Sequence, residues 1–334
     1  MQAVGAQRRI PSLDGLRALS ILLVIGGHFS DRPAGNFLAS LGVHIFFVIS
    51  GYLITRLLLE EHADTQKISL AGFYRRRCFR IFPAAFTYIA IIGILSPNSR
   101  AGLWYAMTYT ASYRVSELPT NFLHLWSLSV EEQFYLLWPL ALVLGFRRRI
   151  QMAWAAFAAA AAFRLAVVLN HLPGIWLHFS FPGTMDSVAA GCLLALYWPQ
   201  IKERAAWMAE VNAVLIAIPL AVWVLNVALW SGPAACLWGV VHVLIALWTF
   251  LLIERQPMLL NNGVASTIGL LSYSLYLWQE PFTLERTLPS TAALPLLAAC
   301  AVMSYLIVEK PMIQFGRRFG SGAHAKRVSA AIKQ

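Results

Sequence analysis

The chain has 334 residues, 59% of them hydrophobic and only 12% charged, about half the charge of an ordinary soluble domain (roughly 25%). That balance excludes a soluble globular enzyme and points to an all-α, polytopic integral membrane protein. The formal net charge of +11 sits in short loops between apolar segments, so it reads as membrane topology and not as a nucleic-acid-binding face.

A helix crossing the bilayer needs about 20 apolar residues, since roughly 30 Å of hydrocarbon is covered at about 1.5 Å per residue. In chain order the apolar segments run over 13–30, 37–59, 78–96, 123–145, 151–170, 176–198, 210–230, 234–253, 264–284 and 291–309. This predicts about ten spans with both termini in the cytoplasm. Arg8-Arg9 of a short N-terminal segment, residues 1–12, runs into the first span without a small-residue cleavage site, so that span is expected to be retained. With the N-terminus inside, the inner loops hold the basic runs Arg75-Arg76-Arg77 and Arg147-Arg148-Arg149. The outer loops hold only Arg32, Arg100, Arg114 and Arg286, as the positive-inside rule requires. Residues 101–115 are aromatic but short for a span, and spanning would turn Arg147–Arg149 outward; they are expected as an interfacial or re-entrant segment on the outer side. Residues 13–310 then form one transmembrane domain and 311–334 a basic cytoplasmic tail, with no repeat or second domain.

Ionisable residues inside apolar segments cost about 2.5–3.5 kcal/mol on insertion scales and are functional candidates by default. In the first span Arg17 and His28 are eleven residues apart, which places them on one helix face about 16 Å apart. The third opens with FYRRRCFRIFP, where Arg77 and Arg80 are i, i+3 neighbours beside Arg76. Such a pair suits a phosphate, although topology alone also puts basic residues there. The fourth carries His124 and, seven residues on, Glu131 beside Glu132. Glu131 needs a cationic partner or a wet cavity, and Arg17, His28 or Arg164 are candidates. Asp186 lies in the sixth span, and Gln279 and Glu280 in the ninth. Ordered by depth, Arg77 and Arg80, Arg17, Glu131 and Asp186, then His28 make a column along which an anchored donor would reach a base. The same charges would also suit a transporter or flippase path. Cys78, Cys192, Cys236 and Cys300 lack CxxC or Cys/His spacing, and the histidines form no HExxH, so no metal site is expected.

Six motifs in order give this chain a resemblance to membrane acyltransferase family 3, the group that includes the O-antigen and exopolysaccharide O-acetylases and the Nod-factor acetylase. They are LDGLRALSILLVIGGH, GVHIFFVISGYLIT with Tyr52, YRRRCFRIFPA, HLWSLSVEEQFY, MDSVAAGCLLA and SYSLYLW, followed by VEKP with Glu309. The resemblance implies a multi-pass enzyme of the bacterial inner membrane. It would move an acyl group, acetyl by family default, from cytoplasmic acyl-CoA to a hydroxyl of an extracytoplasmic glycan or glycolipid, with acyl-CoA as co-substrate and no bound cofactor. His28 would be the base or acyl relay, Arg17 and Glu131 its supports, and Arg77 and Arg80, with Arg76 beside them, the site for the CoA phosphates. Asp186, His124, Tyr52 and Gln279 are further candidates. Two departures stand out: Gln279 occupies a place where the family commonly has His, and Thr184-Met185 replace an Arg often found before the Asp. The hydrolase-like domain that some relatives append is not expected here, so the chain would act alone or with a separate partner.

Overall fold

The computed structural model describes residues 10–30, 33–229, 232–284 and 289–318. The basic N-terminal pair Arg8-Arg9, the outer Arg32 and Arg286, and the tail beyond residue 318 lie outside the described residues.

Every described element is helical. The α-helices in order are α1 (Pro11–Phe29), α2 (Pro33–Thr65), α3 (Leu70–Leu95), α4 (Leu103–Met107), α5 (Leu125–Gly145), α6 (Arg149–Leu169) and α7 (Ile175–His178). They continue with α8 (Phe181–Leu196), α9 (Trp198–Ala205), α10 (Asn212–Ala228), α11 (Gly239–Arg255), α12 (Gly263–Trp278), α13 (Glu280–Thr283) and α14 (Ser290–Ser304). Among the described residues seven helical stretches are long and apolar enough to cross a bilayer, and one of them, Thr120–Leu169, contains both α5 and α6. The break inside it is the 3-10 turn Phe146–Arg148, where the arginine run falls. The chain is therefore a multi-pass membrane protein. The segments expected over 210–230 and 264–284 correspond to α10 and α12, of 17 and 16 residues. Leu136, Leu137, Leu140, Val143 and Leu144 of α5 are exposed, a surface suited to lipid.

Two expected segments are interrupted. The 176–198 segment divides into α7 and α8 because the Ser180 hydroxyl accepts the Gly183 N–H at 3.1 Å and starts a new helix. The 264–284 segment stops at Trp278 and resumes at Glu280, since Pro281 in the first turn of α13 has no N–H to continue the ladder. Between α3 and α5, residues 97–122 form five short helical pieces, the longest of six residues.

The chain divides into two compact units, each assembled from three separated stretches. Unit 1 comprises Met1–Arg56, Ala153–His171 and Asp186–Ser272. Its core packs Leu16, Ile45, Ile49, Trp238, Val241 and Phe250, all nearly or fully buried. Its helices meet at small residues: a methyl added at Gly51 or Gly191 would overlap the facing backbone of α8 or α2, and the same holds between Gly27 and Gly35 of α1 and α2. Close backbone approach of this kind replaces the hydrophobic drive that lipid cannot supply between spans.

Unit 2 comprises Leu57–Met152, Leu172–Met185 and Tyr273–Gln334. Here the Tyr88 hydroxyl donates to the Asn121 carbonyl at 2.6 Å, and Tyr273 donates to the Ile81 carbonyl at 2.9 Å. The 97–122 pieces and α12 are thereby tied to α3. Outside the spans, Arg114 donates to Glu117 at 2.7 Å and the Tyr105 hydroxyl donates to it at 2.9 Å. These two bonds hold the exposed Glu117 carboxyl below its usual range, and Glu117 in turn pushes the Tyr105 hydroxyl up.

Candidate functional site

In unit 1, Arg17 and His28 stand half-buried on α1, His28 in its last turn. Arg17 Nη1 is 3.7 Å from Asp14 one turn earlier. Tyr52 is buried on α2, its hydroxyl accepting from Arg56 Nη1 at 3.3 Å and its ring 5.2 Å from Trp198.

Asp186 sits at the centre of a fully buried network. Arg164 of α6 donates to both carboxylate oxygens, Nη1 at 3.0 Å and Nη2 at 2.6 Å. His242 Nδ1 of α11 lies 3.1 Å from Oδ2 of the same carboxylate. Arg164, expected as one candidate partner of Glu131, here pairs with Asp186; the periodicity of a single helix carries no information about such a cross-helix pairing. The His44 ring of α2 is 4.6 Å from His242 and 4.9 Å from Trp238. Trp238 Nε1 donates to Asn226, whose amide donates to the Phe37 carbonyl at 3.3 Å. The bidentate ion pair with Arg164 neutralises Asp186 where water cannot.

In unit 2, the FYRRRCFR run opens α3 with Ser69 as its cap, its hydroxyl accepting from the Gly72 N–H at 3.2 Å. The arginines then diverge. Arg76 is exposed and pairs with Glu61 at 3.7 Å. Arg77 lies half-buried, its guanidinium 4.5 Å over the Tyr135 ring of α5 and within electrostatic reach of Glu132. Arg80 is within electrostatic reach of Glu309, a carboxylate that also accepts the Ser274 hydroxyl. Each member of the Arg77/Arg80 pair therefore has a carboxylate near it. Glu131 lies close enough to Tyr273 and Tyr276 to act on both electrostatically.

The entrance to α5 carries a second buried group. His124 Nδ1 is 3.7 Å from Glu280 Oε1, and both side chains are buried. The Tyr276 hydroxyl donates to the His124 carbonyl at 3.0 Å and shares a 2.6 Å hydrogen bond with Ser127. Next to Glu280, Gln279 is fully buried, and among the described residues its amide oxygen and nitrogen have no hydrogen-bond partner.

The sequence reading missed several of these polar residues. His44 and His242 are lone histidines in apolar helices, and the cost of an ionisable group there was signal enough. Tyr109 and Gln133 gave no such signal. Gln133 Nε2 donates to the Tyr109 carbonyl at 3.1 Å and to Ser112 at 3.2 Å, while its Oε1 accepts the Tyr113 hydroxyl at 2.8 Å. One amide thus fastens 109–113 to α5.

A polar interior of this kind, with the ordered motifs, can be compared with known proteins. Residues 10–308 match the family described as an acyltransferase domain. The chain belongs to this acyltransferase family. It is 30% identical to the peptidoglycan O-acetyltransferase OatA of Listeria monocytogenes serovar 1/2a over 93% of this chain and 57% of that protein. It is 28% identical to the O-acetyltransferase OatA of Staphylococcus aureus strain NCTC 8325 over 95% of this chain and 59% of that protein. The acyltransferase chain thus spans little more than half the length of these relatives. No solved structure matches it.

Proposed function

We propose that this acyltransferase is an O-acetyltransferase of the bacterial inner membrane, with ten spans and both termini in the cytoplasm. It takes the acyl group of cytoplasmic acyl-CoA and places it on a hydroxyl of an extracytoplasmic carbohydrate. What carries the reading is the family match over residues 10–308, a range that includes Arg17, His28, Arg77, Arg80 and Glu131. Two relatives named O-acetyltransferase support acetyl as the group, and the one named for peptidoglycan supports a glycan as the acceptor. Peptidoglycan is the acceptor to test first, and O-antigen or exopolysaccharide next.

In this mechanism the neutral imidazole of His28 takes the acceptor hydroxyl's proton as oxygen attacks the thioester, and the thiolate leaves to be protonated as free CoA. General base catalysis of this kind is worth typically 10²–10⁴-fold. Arg77 and Arg80 hold the donor's phosphates, exchanging their present carboxylate neighbours for a stronger anion. Glu132 and Glu309 then keep the two guanidinium groups oriented while the donor is absent.

The test is labelled acetyl-CoA supplied to inside-out membrane vesicles containing the acceptor glycan. Label should appear on the glycan, fall at least about 10²-fold with His28→Ala, and require more donor for half-maximal rate with Arg77→Ala or Arg80→Ala. Glycan translocation without label would replace the enzyme by a flippase. Unchanged donor dependence in the Arg77/Arg80 double variant would remove the phosphate assignment.

A further inference from the structure

Among the described residues of unit 2, two buried polar atoms near one another lack any hydrogen-bond partner: the Tyr109 hydroxyl and Glu132 Oε1. They are close enough to interact electrostatically, and Cys78 of α3 is within the same reach of both. One atom is a donor and the other an acceptor, and they do not bond to each other. Burying either without a partner is unfavourable.

The protein holds this arrangement against local preference. Tyr109 has a φ of 55°, a left-handed conformation that a bulky residue rarely adopts, and strain of this kind gathers at ligand sites. Gln133, the neighbour of Glu132 on α5, fixes that backbone through the Tyr109 carbonyl. The Tyr109 ring is set against Phe82 and Phe86 of α3, at 5.4 and 6.4 Å. Phe82 stands one turn from Cys78 and five residues after Arg77, so the two atoms adjoin the helix that carries the arginine pair.

A group that fits must offer a donor and an acceptor together and tolerate an aromatic wall. A secondary amide flanked by short apolar links does both. We propose that Tyr109 and Glu132 receive a pantetheine amide of acyl-CoA, the amide N–H donating to Glu132 and the Tyr109 hydroxyl donating to the amide carbonyl. The inference rests on the reading of acyl-CoA as donor and adds the residues that hold its arm, next to those proposed for its phosphates.

The test uses the full chain in nanodiscs and two probes, CoA and adenosine 3′,5′-bisphosphate, which keeps phosphates but lacks the arm. Tyr109→Phe and Glu132→Gln should each weaken CoA binding about tenfold, the loss expected of one buried hydrogen bond. Bisphosphate binding by Tyr109→Phe should stay within about twofold, because only the arm's contact is lost. Tyr109→Phe removes one hydroxyl that has no hydrogen-bond partner among the described residues, so it keeps the fold and decides the matter if Glu132→Gln unfolds. CoA bound by Tyr109→Phe as tightly as by the unaltered chain means that the hydroxyl does not meet the arm, and it overturns the proposal. So does an equal loss for both probes. If the unaltered chain binds neither probe, the donor reading itself falls, and the failure is recognisable because it appears before any substitution.

Discussion

Asp186 shows how a charge is kept inside a membrane domain: it is held by two guanidinium nitrogens and faced by one imidazole, with no side-chain surface left exposed. Removing one member strands the other in a place water does not reach. Asp186→Ala should therefore cost about 3–5 kcal/mol, the range for breaking a buried pair from one side. Replacing Asp186 and Arg164 together by leucines should recover most of that loss, because both charges are then gone. Thermal unfolding in detergent measures both; a double variant as unstable as the single would mean that the pair does more than neutralise charge. The candidates at this scale were legible one by one, since each charged residue in an apolar segment announces itself. Their partners were not. Arg164 was open to Glu131 until the structure placed it on Asp186, because pairing depends on which helices face each other, and that information is not in one helix's periodicity. Tyr109 was invisible for another reason: it lies among short helical pieces, where no hydrophobic period marks a face.

Helix interfaces in unit 1 depend on residues with no side chain. Gly51 of α2 and Gly191 of α8 each lie against the other helix's backbone, so Gly191→Val should force the pair apart. The cost is expected at the upper end of overpacking penalties, about 3 kcal/mol or more, read as a lower unfolding temperature in detergent. Gly191→Ala should do less harm in the same direction. Neither glycine was singled out in the sequence, because glycine is frequent in spans and its spacing says nothing about where a second helix passes. Most helix positions, by contrast, followed from apolar run length. The interruptions at Ser180 and Pro281 were missed because the runs stay apolar across them, while a hydroxyl cap and a missing N–H decide the hydrogen bonds.

The short pieces between α3 and α5 hold one element with a pH response. Glu117 has a lowered pKa through Arg114 and Tyr105. A lowered carboxylate contributes stability that is fully present above its ordinary range and is lost as pH falls through the lowered value. Amide hydrogen exchange over residues 103–117 should thus stay slow at neutral pH and quicken on acidification below the normal glutamate range. Glu117→Gln should show the quicker exchange at every pH. An acid response that survives this substitution would assign the effect to another group.

For the molecule as a whole the open quantity is which side each end of α5 faces. A bilayer core needs about 30 Å of helix, and the longest piece in 97–122 has six residues, about 12 Å at a 3-10 rise of roughly 2.0 Å per residue. No single piece there can cross. If the segment as a whole stays on one side, α3 and α5 are antiparallel crossings, and the arginine turn after α5 returns to the side of the loop before α3. Basic residues then collect on one side, as translocation requires. Single cysteines introduced at Glu117 and Arg148, in a background without the four native cysteines, should therefore react with an impermeant thiol reagent from opposite faces. Arg148 should be labelled from the cytoplasmic face, together with a cysteine at Lys67 in the loop before α3. Labelling of Glu117 and Lys67 from the same face would mean that 97–122 crosses after all. It would turn α5 over, put Arg147–Arg149 outside, and leave Glu131 and Glu132 at depths where the donor assignment no longer holds.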